Sequence, residues 1–167
     1  MKRLISNSLL LVLASLLFVP SVFAATTGVV AATVTAQSIS ISLDVTSVTY
    51  GTLAASGTKD TTSSGTDTSI TATNSGNVTE ILTIKGADTT NWTLAGSAGT
   101  NNYVHQFCTT TCDTTPSWTA LTTGDQTLAA SVASSGTQTF DLKITAPSST
   151  TFFTEQTANV TVTAAAN

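Results

Sequence analysis

The residues best suited to chemistry are a histidine and two cysteines with the spacing His-x2-Cys-x3-Cys, namely His105, Cys108 and Cys112. A tetrahedral zinc site needs a fourth donor, and Asp113 is poorly placed for this role because it directly follows Cys112. The alternative is a disulfide between the two cysteines, which are the only ones in the chain. Because the chain begins with an export-like leader (below), pairing is expected. We therefore predict a short disulfide-closed loop, and neither a metal nor another cofactor.

Catalytic side chains are scarce. His105 is the only imidazole, and the Gly-x-Ser-x-Gly sequence of many serine hydrolases does not occur. A glycosidase needs two carboxyl groups in different environments, and Glu80 and Glu155 are the only glutamates. Asp60 and Asp67 fall in a predicted loop without the Asp-x-Asp-x-Asp-Gly pattern of a calcium site. We expect the acidic side chains to be solvated at the surface, and the protein not to be an enzyme.

The charge balance limits the choice of partners. The chain of 167 residues has a formal net charge of −4 at pH 7. Without its first 24 residues it keeps three lysines, Lys59, Lys85 and Lys143, against nine carboxyl groups, which gives −6. Three scattered lysines cannot form the basic surface that phosphate groups require. Nucleic-acid binding is therefore excluded.

The start of the chain has the pattern of a secretory signal peptide. A short basic sequence precedes a largely apolar stretch over residues 9–19, and Val22 and Ala24 fit the cleavage positions before Ala25. The apolar run of about 11 residues is shorter than the roughly 20 that a membrane-spanning helix needs. We expect residues 1–24 to be removed as a signal peptide. The mature chain would then be secreted, extracellular or held at the cell surface, without a membrane anchor.

The rest of the chain has the composition and patterning of β-strands. Thr occupies 38 and Ser 16 of the 143 residues that follow residue 24, and threonine favours pleated strands over helix interiors. Apolar residues alternate with polar ones, as at Ile39, Ile41 and Leu43, without helical periodicity. We predict an all-β, two-sheet sandwich of about eight to ten strands over residues 37–167, with a loop at residues 54–67. The predicted strands cover residues 39–45, 69–73, 78–85, 92–94, 103–107, 127–132, 137–145 and 157–163.

Several turn motifs are similar to those of a known family. The aromatic-glycine pair Tyr50-Gly51 precedes a Thr-x-Thr-Asn-x-Gly-Asn sequence over residues 71–77, and a Ser-Ser-Gly-Thr turn begins at Ser134. This pattern resembles that of immunoglobulin-like sandwiches in exported microbial proteins, over residues 38–163. The resemblance implies a Greek-key type sandwich that serves as a structural, adhesive or spacer unit without catalytic groups. The two inter-sheet cysteines of antibody domains are missing, so the likeness is to the general sandwich.

The start of the mature chain changes its phase of alternation. Val30, Ala32 and Val34 are apolar at even positions, whereas from Ile39 onward the apolar residues take odd positions. A strand with a side-chain period of two cannot do this on one face without a bulge or a change of sheet. Residues 25–36 are therefore an edge strand crossing between the sheets of its own sandwich, a strand donated to a neighbouring subunit, or a disordered segment.

Strand donation is the interpretation with a functional consequence. Val30, Ala32 and Val34 would be the assembly residues, which fill an apolar groove of another copy. The chain has few of the lysines and prolines that normally protect sheet edges. Its layout is similar to that of TasA-type filament subunits and archaeal bundling pili, although no diagnostic motif of either is matched.

Three sequons for N-linked glycosylation are present, at Asn77, Asn91 and Asn159. In a chain this rich in threonine, several such matches arise by chance. They would be occupied only in cells that glycosylate exported proteins, so the sequence leaves sugar attachment open.

Aromatic side chains supply one more candidate surface. Trp92, Tyr103 and Trp118 could form a platform for a sugar ring, but core packing is the expected use of most of them. Phe152 and Phe153 differ, because adjacent strand residues face opposite sides and one ring should be exposed unless it is covered. We predict that this pair is a contact surface for a partner subunit.

The leading hypothesis is a non-enzymatic structural protein, a subunit of an extracellular filament, pilus, matrix or surface layer. Its partners would be copies of itself, joined by β-strand complementation. The alternative is a secreted monomeric module for adhesion or glycan binding through exposed aromatic side chains. Filaments would favour the first function, and saturable glycan binding the second.

Overall fold

Ten β-strands form the regular structure of residues 27–167, the part of the chain that this computed structural model describes. No helix occurs among these residues. The expected signal peptide, residues 1–24, lies outside the described residues, as do Ala25 and Thr26. The strands are β1 Ile41–Leu43, β2 Thr58–Asp60, β3 Ile70–Asn74, β4 Glu80–Gly86, β5 Thr93–Leu94, β6 Asn102–Cys108, β7 Thr119–Ala120, β8 Gln126–Val132, β9 Thr137–Thr145 and β10 Val160–Ala166.

The strands form two sheets. The larger sheet has the order β1-β3-β9-β6-β5, and in addition β2 pairs with β9 and β7 with β6. The smaller sheet has the order β10-β4-β8. All these pairings are antiparallel except that of β5 with β6. The predicted all-β architecture with two sheets is confirmed.

The apolar core draws on both sheets and follows the side-chain period of two. On β4, Leu82 and Ile84 are fully buried, while Ile81, on the opposite face of the strand, is only half-buried. Strand β9 contributes Phe140 and Leu142, which are 2% and 6% exposed. Each fully buried side chain of this kind stabilises the fold by roughly 1.5–3 kcal/mol. The other members of the core are Ile70, Ala72, Phe107, Leu121, Leu128 and Val132.

The longest strand, β9, organises the larger sheet. Residues 137–140 pair with β3, and residues 143–145 pair with β2. On its other side β9 pairs with β6. Strands β2 and β3 thus pair one after the other with the same edge of β9, and a loop over residues 62–67 separates them. The loop closes where the N–H of Thr68 donates to the carbonyl of Thr61 at 2.8 Å.

The structure corrects several predicted strand positions. Residues 54–67, predicted as a loop, contain β2, and β7 was not predicted at all. Both strands have two or three residues and lack apolar alternation, so a hydrophobicity pattern does not reveal them. The first strand is shorter than the predicted 39–45, and the last lies three residues later than the predicted 157–163.

Two acidic residues that we expected at the surface are buried. Glu80 is 0% and Asp141 3% exposed. Glu80 Oε1 accepts the N–H of Ser40 at 2.8 Å, and Asp141 Oδ1 accepts the hydroxyls of Thr61 at 2.7 Å and Ser69 at 2.8 Å. A buried carboxyl group is tolerated when hydrogen bonds replace its hydration, as at Asp141, whereas Glu80 Oε2 has no hydrogen-bond partner among the described residues. The expectation was wrong because these donors come from segments distant in sequence.

The side chain of Asn74 organises one end of the sandwich. Asn74 ends β3 and is fully buried. Its Nδ2 donates to the carbonyls of Val78 at 2.8 Å and Val132 at 2.9 Å, and its Oδ1 accepts the N–H of Gly76 at 2.8 Å. Its backbone also bonds to the turn at residues 133–136. One amide therefore joins the end of β3, in the larger sheet, to β8 and to the approach to β4, in the smaller sheet. We call this region the Asn74 end.

Asn74→Ala should lower the free energy of unfolding by about 3 kcal/mol, because three backbone groups lose a buried partner and each unsatisfied group costs about 1–3 kcal/mol. Ser75→Ala is the matched control, since its exposed hydroxyl bonds only to the exposed hydroxyl of Ser42 at 3.0 Å. The control should change stability by less than about 0.5 kcal/mol. Urea unfolding measures both values, and equal midpoints would contradict this role of Asn74.

Candidate functional site

The segment before the sandwich is the first part of the candidate site, and we call residues 27–35 the N-terminal arm. It contains no strand or helix, and neither sheet includes it. Val29, Val30 and Val34 are 93%, 92% and 96% exposed, and Ala32 is exposed as well. The arm has no charged residue. It therefore presents to water apolar side chains that a partner strand would remove from it.

The chain enters the sandwich at the Asn74 end through a set of hydrogen bonds that we call the Asn77 clamp. Asn77 Nδ2 donates to the carbonyl of Ala36 at 2.8 Å, and Asn77 Oδ1 accepts the N–H of Ser38 at 2.8 Å. The N–H of Asn77 donates to the carbonyl of Ser38 at 3.1 Å. Glu80 holds the N–H of Ser40 just beyond. Residues 36–40, at the root of the arm, are thus fixed in place.

The free edge of the smaller sheet is the second part of the candidate site. Among the described residues, β10 pairs only with β4, over all seven of its residues. Its inward side chains Val160, Val162 and Ala164 pack against the core but are only partly buried. The strand contains no charged residue and no proline. An edge without such protection is a template for a further strand.

The opposite edge of that sheet differs. Of the apolar side chains that β8 packs against the core, Leu128 and Val132 are each 5% exposed and Ala129 is partly buried, so this edge is more completely covered than that of β10. The pairing of β8 with β4 also shifts register around Leu82. Such bulges are one of the devices that protect sheet edges. Strand β10 is therefore the edge of the smaller sheet that has room for an added strand.

The two cysteines form a disulfide at the end of β6, with 5.8 Å between the Cα atoms of Cys108 and Cys112. The adjacent Asp113 accepts the N–H of Ser63 at 2.7 Å, and this hydrogen bond lowers the pKa of its carboxyl group. A surface cleft of about 340 Å³ lies beside the loop and is also lined by Asp141. Both carboxyl groups of the cleft serve contacts within the chain, so its remaining polar groups are mainly hydroxyls.

His105 lies in an aromatic cluster with Tyr50 and Tyr103, and it belongs to no group of side chains in the described part of the chain that could bind a metal. It is 2% exposed, and its Nε2 lies 3.1 Å from the hydroxyl oxygen of Tyr50. The ring of Tyr103 lies 6.3 Å away, and His105 Nδ1 has no hydrogen-bond partner among the described residues. Burial lowers the pKa of His105 to about 4 and raises that of Tyr103 to about 12. Burial, with Asp60 and Asp141 nearby, also raises the pKa of Tyr50. The cluster is neutral at pH 7.

The three sequons lie in different environments. The side chain of Asn77 is exposed but occupied by the clamp. Asn91 is half-buried, and its Nδ2 lies 3.4 Å from Gln156 Oε1. Asn159 is exposed just before β10. A sugar would therefore disturb the fewest contacts at Asn159.

The aromatic residues divide as follows. Tyr103 is fully buried, Trp92 is half-buried and donates from Nε1 to Thr150 at 3.2 Å, and the ring of Trp118 lies 4.8 Å from Lys143 Nζ. Phe152 and Phe153 lie in the loop between β9 and β10 instead of in a strand, and are 39% and 87% exposed. Both rings, and not one as expected from strand alternation, are therefore accessible.

Within residues 27–167, no group of three or more His, Cys, Asp or Glu side chains is arranged to hold a metal ion. No helix in that same range is long and apolar enough to cross a membrane. The chain matches no protein-family model, no curated protein and no solved structure. The resemblance to immunoglobulin-like modules therefore stays a prediction, and function has to be argued from the arm and the free edge.

Acid should destabilise the protein through His105. Its pKa is about 4 in the folded chain and 6.5 in the unfolded chain, so the unfolded state binds the proton more tightly. Stability present above pH 6.5 is then lost progressively toward pH 4, by up to about 3 kcal/mol. His105→Gln keeps a polar side chain that does not titrate, and should flatten the dependence over this range. Urea unfolding at several pH values tests this, and a variant curve parallel to the wild type would contradict it.

Opening the disulfide should lower stability by about 2 kcal/mol, the chain-entropy value for so small a ring. A Cys108→Ser, Cys112→Ser double variant and the reduced wild type should show the same loss in urea unfolding. Thr110→Ala, an exposed position inside the ring, is the control and should leave the midpoint unchanged. An unchanged midpoint after reduction would mean that other contacts hold the loop.

Proposed function

We propose that this protein is a non-enzymatic structural subunit that polymerises outside the cell, with the N-terminal arm of one copy completing the sandwich of another. The main support is that one chain carries both complementary parts. The arm is uncharged, exposed and apolar at alternate positions, and β10 is an uncharged free edge whose inward side chains are only partly buried. Strand addition would remove both surfaces from water.

The energetics explain why the alternation of the arm matters. Ordering its backbone costs about 1–2 kcal/mol per residue. Each new edge hydrogen bond contributes a net stabilisation of about 1 kcal/mol, which alone does not offset that cost. Burial of Val30 and Val34 adds roughly 1.5–3 kcal/mol for each side chain. An arm with polar residues at these positions would therefore not stay bound.

Export is part of the proposed function. It is supported by the leader pattern of residues 1–24 and by the disulfide between the only two cysteines, because disulfides persist mainly in oxidising compartments. A surface rich in hydroxyl groups and poor in charge is compatible with a long-lived extracellular polymer.

A secreted monomeric adhesion or glycan-binding module is the second candidate function. The exposed ring of Phe153 is the observation that favours it, since sugar rings stack on accessible aromatic faces. The other aromatic side chains expected to help are less suitable, because Tyr103 is buried and Trp118 lies against Lys143. Strand donation accounts for more of the exposed apolar surface.

Val30→Ser combined with Val34→Ser should abolish filaments and leave a folded monomer, because the arm loses the side chains that an acceptor would bury. Val29→Ser is the matched control, since this valine is equally exposed but odd-numbered, so that its side chain would lie on the outer face of the donated strand. The full chain is expressed in a secreting bacterium. Negative-stain electron microscopy of purified and cell-sheared material reports filaments, and thermal unfolding reports the fold.

Filaments of the double serine variant equal in number to those of the wild type would contradict strand donation. Monodisperse wild-type particles, together with saturable glycan binding that Phe153→Ala removes, would establish the alternative function. N-terminal sequencing of the same material shows whether the chain is cut before Ala25.

A further inference from the structure

The acceptor for the arm can be assigned to one strand, and this assignment rests on the proposed function. We propose that β10 of one copy receives the N-terminal arm of another copy as an antiparallel neighbour, with the even-numbered apolar residues of both facing the core. The opposed residues are Val34 and Val160, Ala32 and Val162, and Val30 and Ala164.

The choice of β10 follows from comparing the free edges. Four strands of the larger sheet have a single partner among the described strands, but they have only two or three residues each: β1, β2, β5 and β7. Strand β8 has seven residues, yet its large apolar side chains Leu128 and Val132 are already buried and its register is interrupted. Strand β10 has seven residues in unbroken register with β4, and its inward side chains are only partly buried. It alone offers both the length and the unfilled apolar surface that the arm needs.

The register follows from the parity of the two segments. Residues directly opposite each other in a pair of strands lie on the same face of the sheet. The inward residues of β10 are at even positions, as are the apolar assembly residues of the arm. In antiparallel pairing, one register places all three assembly residues opposite all three inward residues of β10. The outward pairs are then Thr33 with Thr161, Ala31 with Thr163, and Val29 with Ala165.

The direction follows from the Asn77 clamp. The clamp holds Ala36 at the Asn74 end, and β10 finishes at that same end, because Ala166 pairs with Glu80 and the N–H of Asn167 donates to Thr79 at 3.0 Å. An arm folded back along its own β10 would therefore run parallel to it. An arm that arrives from another copy stacked on the opposite end runs antiparallel. Antiparallel pairing is the slightly more stable arrangement per residue.

The same alignment gives a role to the exposed phenylalanines. With Val34 opposite Val160, Ala36 of the donor lies opposite Ala158 of the acceptor, next to the loop that carries Phe152 and Phe153. The Asn74 end of the donor is thereby brought to the loop that carries Phe153, which is 87% exposed. A single geometry thus covers the arm and the β10 edge, and it places this loop at the junction of the two copies.

Cysteine cross-linking in assembled filaments tests the pairing. Val29→Cys and Ala165→Cys are made in separate full-length chains, which are mixed, assembled and mildly oxidised, and the products are separated without reductant. Thr33→Cys with Thr161→Cys is the second pair. Both pairs should give covalent dimers of the two variants. The crossed pair, Val29→Cys with Thr161→Cys, should give no covalent dimer. Thr161 lies four residues from Ala165, the proposed partner of Val29, so the two Cα atoms would be about 13 Å apart, and a disulfide needs Cα atoms within about 7 Å.

A chain that carries both Val29→Cys and Ala165→Cys distinguishes an arm that pairs with β10 of another copy from an arm that pairs with β10 of its own chain. A ladder of covalent oligomers supports the inference, whereas a cross-linked monomer would overturn it. Ala31→Cys with Thr163→Cys replaces either pair if its variants do not assemble. If the cysteine variants assemble into filaments like those of the wild type but none of these cross-links forms, the choice of β10 would be overturned while strand donation stands. A wild-type chain that forms no filaments would contradict both strand donation and the choice of β10.

Discussion

The side-chain amide of Asn74 is the constraint on which the rest of the structure depends. It fixes the turn that takes the chain from the larger to the smaller sheet, and it also holds the carbonyl of Val132 at the end of β8. Within that turn, a Cβ atom on Gly76 would collide with the carbonyl oxygen of Ser38 and with Glu80 Oε1. Only glycine therefore lets residues 38–40 pack so closely on the turn, and this packing forms the Asn77 clamp.

The same turn contacts residues 36–40, at the root of the arm, and leads into the strand that pairs with β10. It sets where β4 begins, and β4 is the only described strand that pairs with β10. The root of the arm and the last residue of β10 are therefore both placed relative to Glu80, which holds Ser40 and pairs with Ala166. A change in the turn would move donor root and acceptor edge together, so folding and the proposed assembly share one set of contacts.

Sequence patterns predicted some of these features and not others. Alternation located β3, β4 and β9 to within about two residues, because their buried faces have a regular period of two. It could not reveal β2, whose residues Thr58, Lys59 and Asp60 are polar, nor the burial of Glu80, which depends on a donor 40 residues away. Alternation is also the same in an edge strand and a covered strand. The partly buried inward face of β10, and its having one neighbour among the described strands, therefore could not be predicted without the sheet order.

The change of alternation phase coincides with the clamp, which holds Ala36 and Ser38. Strand β1 keeps its odd-numbered apolar residues inward while it pairs with β3, and β3 ends at Asn74. Between Ala36 and Ser38, the side chain of Asn77 takes the place of a neighbouring strand by bonding to one carbonyl and one N–H. A side chain imposes no alternation on the backbone that it holds, so the residues before Ala36 are released from the phase of β1. Their even-numbered apolar pattern can then be set by a different neighbour, and the inward residues of β10 have that same parity.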